Sequence, residues 1–318
     1  MRSMSYDAFC TQMQEKLQKV YGEDAHVKLH CVQKVNGVLL RGITIMKDGR
    51  NIMPTLYLEH YFEKYEDGMP FHEVLRTFME EYEKSCIYEE FDIDFFQKYE
   101  LVKPHLGFKL INYEMNWQLL QEVPHKCYLD LAVVGYCNIM DDRIGQGTIL
   151  IRNEHLKMWE VEEVQFLKDA MENMMRHMPA DFLNMSTVLK ELYDDPAELL
   201  VSKLPMYVLT NRGKMYGAGC LLYPEQLELI AKEVEGDYYM LPSSIHEIII
   251  LPKKYASDEK HLSHMVDEIN HEKLNREEIL SNHAYLYTTL TKEVTLLPQV
   301  PYRRETGKNE NIIPLYKR

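Results

Sequence analysis

Hydrophobic positions recur along this chain at two periods, and the period changes where turn residues cluster. Phe9, Met13, Leu17 and Val20 fall at helical spacing, and Gly22 follows where a left-handed residue would end the helix. Val27 to Val35 and Val38 to Met46 then read as strands around Asn36-Gly37, a pair that tolerates the positive φ of a two-residue hairpin turn. Asp48-Gly49 leads into a third strand, Ile52 to Leu58. Pro54 has no N–H to give a ladder, which puts that strand at an edge. Phe71, Val74, Leu75, Phe78 and Tyr82 share one face of a helix that closes the module.

The run from Ile87 to Phe96, acidic and aromatic together, reads as a connecting segment. Beyond it come a strand from Tyr128 to Ile139, a turn through Asp141-Asp142-Arg143 and a returning strand from Thr148 to Ile151. A helix carrying Val164, Leu167, Met171, Met174 and Met178 on one stripe follows. The same order then repeats with little identity between the copies: a strand at Met206 to Thr210, a turn at Asn211-Arg212-Gly213, a strand at Ala218 to Leu222, and a helix opened by Pro224. Tyr238 to Leu241 and Ile248 to Leu251 read as strands, the second with four aliphatics in a row, as suits a strand covered on both faces. A helix from about Asp258 to Asn270 and a strand near Tyr285 to Thr289 complete the pattern. The prediction is an α+β fold of antiparallel hairpins with helices packed on one face and repeated strand-turn-strand-helix modules. It divides into an N-terminal α+β module (1–100), a body of two ββα-type modules with a C-terminal helix and strand (101–297), and a flexible basic tail (298–318).

Composition narrows the partners. Fifty acidic against 36 basic side chains leave a net charge of −14 over 318 residues, which repels a phosphate backbone, so no nucleic-acid partner is expected. The Arg303-Arg304 tail is the one place such binding could start. No apolar run approaches the ~18 residues of a membrane helix, and the N-terminal stretch lacks the apolar core of a signal peptide, so no membrane partner is expected either. Six scattered cysteines with no Cys-x-x-Cys point to a reducing, cytoplasmic setting and to buried packing roles.

Candidate chemistry is sparse. Ser243, Ser244, His246 and Glu247 carry the residue types of a hydrolytic triad, yet they are near neighbours on one turn, and no Gly-x-Ser-x-Gly elbow exposes the serine. Tying down main chain between two buried strands is the simpler role. His261, His264, Glu268 and His271 share a helix sector. The rise between the outer two is about 15 Å, so one ion could reach only an adjacent pair, and a solvated face explains the pattern as well. Gly145-Gln146-Gly147 suits a hairpin turn better than a phosphate cradle. Asn112, Asn116, His125 and Asp130 offer defined hydrogen-bond geometry beside a central strand, as pocket lining or as caps.

PTLYLEHYFEKYEDG (54–68), KLINYEMNWQLLQEVPHKCYLDLAVV (109–134) and LPSSIHEIIILP (241–252) resemble a family of uncharacterised proteins from anaerobic Gram-positive bacteria, catalogued as a domain of unknown function. The likeness runs to about Thr291, and the order of hairpins and helices is more distantly similar to the YtpQ-like family. The resemblance implies no catalytic residues, and the basic tail after Pro298 departs from it. The expectation is a cytoplasmic, non-enzymatic binding or regulatory protein that recognises another protein or a small ligand through Asn112, Asn116, His125, Ser244, His246 and Glu247, with no metal and no cofactor. The alternative is a hydrolase using Ser244 and His246, or a metal-dependent protein using His261 and His264.

Overall fold

The computed structural model describes residues 4–47, 53–86, 94–141, 145–192, 205–242, 244–256, 259–272 and 274–298. The expected turn at Asp48-Gly49, the core of the connecting segment, Ser243 and the tail beyond Pro298 therefore lie outside the described residues. Two compact units emerge, one from residues 1–97 with 139–147, the other from 98–138 with 148–318.

In the first unit, helix α1 (Tyr6–Tyr21) starts where the Ser5 hydroxyl accepts a hydrogen bond from Ala8 N, and it ends at Gly22 with φ +76°. β1 (Ala25–Gln33) and β2 (Leu39–Lys47) pair antiparallel around Asn36 and Gly37, both at positive φ, which is what that dipeptide supplies. β3 (Thr55–Tyr57) pairs with β2 alone and is an edge strand, as Pro54 requires. Helix α2 (Glu59–Glu66) was not anticipated, because eight residues with four aromatics or histidines carry little helical periodicity. α3 (Phe71–Ser85) lays Val74, Phe78 and Tyr82 onto Phe9, Met13, Leu17, Ile43 and Ile45. Burying such side chains is worth about 2 kcal/mol each. The Tyr82 hydroxyl both donates to Ile45 O (2.8 Å) and accepts from Ile45 N (3.2 Å), so the core closes without an orphaned phenol.

The second unit holds two antiparallel sheets. In the first, β4 (Leu106–Asn112) and β5 (His125–Tyr128) flank β6 (Leu131–Asp141), and β7 (Gly145–Leu150) also pairs with β6. Gly145, Gln146 and Gly147 are thus strand, not turn. Helix α4 (Asn153–Trp159) leads into α5 (Glu163–His177), and Phe166 of α5 lies so close to Gly135 that a β-carbon there would fall 2.1 Å from its ring. The second sheet has the order β13-β12-β10-β11-β9-β8, from β8 (Ala180–Asn184), β9 (Tyr207–Asn211), β10 (Tyr238–Leu241), β11 (Ile248–Pro252), β12 (Tyr285–Thr288) and β13 (Glu293–Leu296). Every residue of the two central strands, β10 and β11, is buried, as their unbroken apolar runs demand. Tyr239, Leu241, Ile249 and Leu251 meet Leu262 and Val266 of the helix Glu259–Glu272 on one face.

The architecture is α+β. The repeat of strand, turn, strand and helix fails at its second copy, because Gly217–Leu222 forms a 3-10 helix instead of a strand. The cause is local. A β-carbon on Gly217 would come within 2.2 Å of Thr210 Oγ1 and 2.5 Å of the His246 carbonyl, and Ala218 N bonds to Ile245 O. The chain is pressed against β9 and the bend after β10, so β9 takes β11 and β8 as partners in place of a hairpin mate.

Candidate functional site

The bend between β10 and β11 carries the triad-like residues, and it uses their polar atoms on main chain. Buried Ser244 accepts at Oγ from His246 N (3.1 Å), and its backbone bridges Ile279. No hydrogen bond runs between the Ser244 hydroxyl and the imidazole. His246 Nδ1 instead accepts from Tyr216 N (3.2 Å), so that ring nitrogen is engaged by main chain. The His246 carbonyl takes the Thr210 hydroxyl (2.9 Å). Tyr216, held at φ +54°, stacks on the imidazole at 5.6 Å and meets the Tyr136 ring edge-on at 5.1 Å, with Lys109 Nζ 4.7 Å from its centroid. Glu247 is half-buried beside it.

A second polar cluster forms where β4, the β5–β6 turn and the segment before β12 converge. Asn116 Nδ2 donates to Asn112 O (2.7 Å), the Asn112 side-chain oxygen accepts from Met115 N (2.8 Å), and Asn112 Nδ2 reaches Leu280 O (3.1 Å). Both asparagines are buried. Asp130, the second residue of the β5–β6 turn, receives the Ser281 hydroxyl at Oδ2 and the Tyr285 hydroxyl at Oδ1, each at 2.6 Å, and its carbonyl receives Tyr113 N (2.9 Å). Burial first, and the Asp130 carboxylate second, push the Tyr285 phenol well above its ordinary range, so it stays a donor. Ser281 Oγ also accepts from His283 N (2.9 Å), and Asn270 Nδ2 caps Ser281 O (2.8 Å).

This framework projects apolar groups outward. Leu129 sits at the first central position of the turn with φ +53°, where glycine is usual, and is 39% exposed. Tyr113 and Trp117, one helical turn apart, are 40% and 58% exposed. The Tyr113 ring lies 6.3 Å from that of His125, whose Nδ1 is 3.0 Å from Val123 O.

The structure therefore brings Asn112 and Asn116 together, sets His125 against Tyr113, and joins the two clusters through one segment: Ser244 bridges Ile279 while Asn112 bonds Leu280. His264 pairs with Glu268 of its own helix at 3.3 Å, and His271 pairs with Asp267 at 3.5 Å. The His261 side chain lies outside the described residues. Among the described residues no three His, Cys, Asp or Glu side chains gather as metal ligands. Sequence reasoning missed Ser281, Tyr285, Tyr113, Trp117 and Leu129. The one local signal was an aromatic pair four residues apart, interleaved with Asn112 and Asn116. A cleft of about 140 Å³ lies elsewhere, lined by Tyr223, Glu228, Tyr287 and Lys292 among others, and a Glu228–Lys292 ion pair of 2.9 Å spans two of its walls. That is well below the ~300 Å³ at which ligand pockets begin.

A family model described as a family of unknown function, DUF5688, matches residues 6–289. No curated protein and no solved structure matches.

Proposed function

We propose, for a chain that belongs to the DUF5688 family, a non-enzymatic role: it binds an extended peptide segment of a protein partner on the surface formed by Tyr113, Trp117, His125 and Leu129. The observation that carries the reading is the left-handed Leu129. A leucine there costs about 1–2 kcal/mol relative to glycine, and 39% of it stays exposed, so part of the apolar surface that could offset the strain is left for a partner. A partner would recover that cost. Exposed Trp and Tyr on a pinned base have the composition of binding hot spots, large rigid rings that lose little entropy on contact. Asn112, Asn116 and Asp130 serve as the frame.

The hydrolase alternative needs His246 to accept a proton from Ser244, and the His246 ring nitrogen that faces main chain is already committed to Tyr216. The free thiols of Cys31 and Cys127, both exposed, support the cytoplasmic assignment. A distant kinship with the YtpQ-like family rests on the order of hairpins and helices alone.

Selection of a random peptide library on the whole protein tests the reading, with Trp117→Ala as the counter-screen. Enrichment of a shared motif that Trp117→Ala abolishes is the expected result. Equal recovery on both proteins, or a fluorophosphonate label that Ser244→Ala removes, would overturn it.

A further inference from the structure

Among the described residues β5 pairs with β6 alone, so it is an outer strand of its sheet. Tyr128 faces Leu131 across the two-residue Leu129–Asp130 turn, and the pair that closes such a turn exchanges both backbone bonds. The alternation of an antiparallel ladder then turns the main-chain groups of Tyr128 and Lys126 toward β6 and those of His125 and Cys127 away from it. Two bonds fix the phase. Asp130 O accepts from Tyr113 N on the β4 side of β6, and Gly135 O accepts from Ile151 N on the opposite side, so the odd-numbered residues of β6 face β5.

The N–H and C=O of His125 and of Cys127 therefore point off the edge of the sheet, and no hydrogen bond takes them up among the described residues. The first unit shows a closed edge for contrast. There Gln14 Nε2 donates to Val27 O (3.0 Å), Gln18 Nε2 donates to Ala25 O (2.8 Å), and Gln18 Oε1 accepts from Val27 N (3.0 Å), so side chains of α1 finish the outer edge of β1.

The side chains of β5 select what would complete it. Lys126 and Cys127 are exposed, and Lys126 has no ion-pair partner among the described residues. His125 and Cys127 fall on the face that carries the Tyr113 ring, and Lys126 falls on the other. A second copy of the chain fits badly. The two-fold register in which His125 and Cys127 bond each other's counterparts sets Lys126 against Lys126, and each chain carries a charge of −14. A strand with a carboxylate opposite Lys126 turns that repulsion into attraction.

We propose that the peptide partner adds to β5 as an antiparallel strand of apolar–acidic–apolar pattern, bonded to the main chain of His125 and Cys127, with its acidic side chain opposite Lys126 and its apolar pair on the Tyr113 face. This rests on the peptide-binding reading above and names the chemistry of its ligand. Main-chain pairing supplies the affinity, and the side chains at alternate positions supply the selectivity.

Amide hydrogen exchange of the full chain, followed by NMR, reads the added strand. In the free protein the Lys126 and Tyr128 amides should exchange slowly and those of His125 and Cys127 fast. A saturating capped peptide Thr-Val-Glu-Val-Thr is expected to slow the second pair at least tenfold, and Thr-Val-Lys-Val-Thr to leave it unchanged. Cys127→Pro deletes an N–H that no ladder bond uses, so it should weaken the acidic peptide about tenfold at an unchanged urea midpoint. Lys126→Glu, which leaves the main chain intact, should reverse the preference between the two peptides by about threefold or more and decides the matter if Cys127→Pro unfolds. Unchanged exchange at His125 and Cys127 with the acidic peptide, full affinity in a folded Cys127→Pro, or a preference indifferent to Lys126→Glu overturns the proposal. Protection of both amides that grows with protein concentration gives the edge to a second copy and overturns it too. If peptides from the library bind in a Trp117-dependent way without slowing these amides, the surface stands and the strand addition falls. If no peptide binds, both fall.

Discussion

The bend at Ser244–His246 and the bend at Leu129–Asp130 are built alike and face opposite ways. Each is served by a non-glycine residue in the left-handed region, Tyr216 at φ +54° and Leu129 at φ +53°, and each ties polar side chains to main chain. At the first bend the strained residue is folded in, stacked on His246 and edge-on to Tyr136. At the second the carboxylate points in, to Ser281 and Tyr285, while the leucine points out. Catalytic residue types thus spend their hydrogen-bonding capacity on structure at one bend. At the other, a strained leucine stays 39% exposed beside two exposed aromatic rings, and that is where a partner is expected.

Asp130→Ala should break the comparison hardest. It leaves the buried Ser281 and Tyr285 hydroxyls without an acceptor and should cost about 3 kcal/mol in urea denaturation. A loss under about 1 kcal/mol would mean that the outward-facing turn is not pinned at all. His246→Ala should cost about 1–2 kcal/mol, for the orphaned Tyr216 N–H and the lost stack, without changing any hydrolytic activity; a specific activity lost with the imidazole would reverse the assignment of this bend.

The frame also has a pH signature. The Tyr285 proton is held more tightly folded than unfolded, so its contribution is complete below the ordinary phenol value of about 10 and declines as pH rises past it, by up to ~1.4 kcal/mol per pH unit. Denaturation midpoints between pH 8 and 11 should fall less steeply for Tyr285→Phe, and parallel curves would argue against a retained proton. Leu129→Gly sharpens the contrast from the other side. It should stabilise the fold by about 1 kcal/mol while weakening peptide binding, and destabilisation would show that the leucine packs inward after all. Trp117→Ala should change stability by no more than about 0.5 kcal/mol yet lower peptide affinity at least tenfold, measured by calorimetry.

Much of the first unit was legible from local pattern. Asn36-Gly37 announced its turn, Pro54 its edge strand and Gly22 the end of its first helix, because each depends on backbone preferences of one or two residues. The strand assigned to Ala218–Leu222 was misread since nothing nearby announces that Gly217 must pass within contact of Thr210 and His246. β8 was overlooked because Ala180–Asn184 is short and half-buried, with no clean alternation. In the candidate site, Asn112 and Asn116 stood out as polar groups beside a strand, but the partners that give the cluster its shape lie 151 and 155 residues along from Asp130.

The sequence by itself determined the α+β class, the five longest helices, the Asn36-Gly37 turn, and the doubly buried centre of the larger sheet. These follow from periodicity and propensity, which act over a few residues. Only the tertiary structure decided that Asp130 meets Ser281 and Tyr285, that His246 serves Tyr216 and not Ser244, and that Trp117 is exposed and Leu129 partly so. Those outcomes depend on strand order and on which face of a bend is covered, and no local pattern encodes a hydrogen bond whose two ends are joined by half the chain.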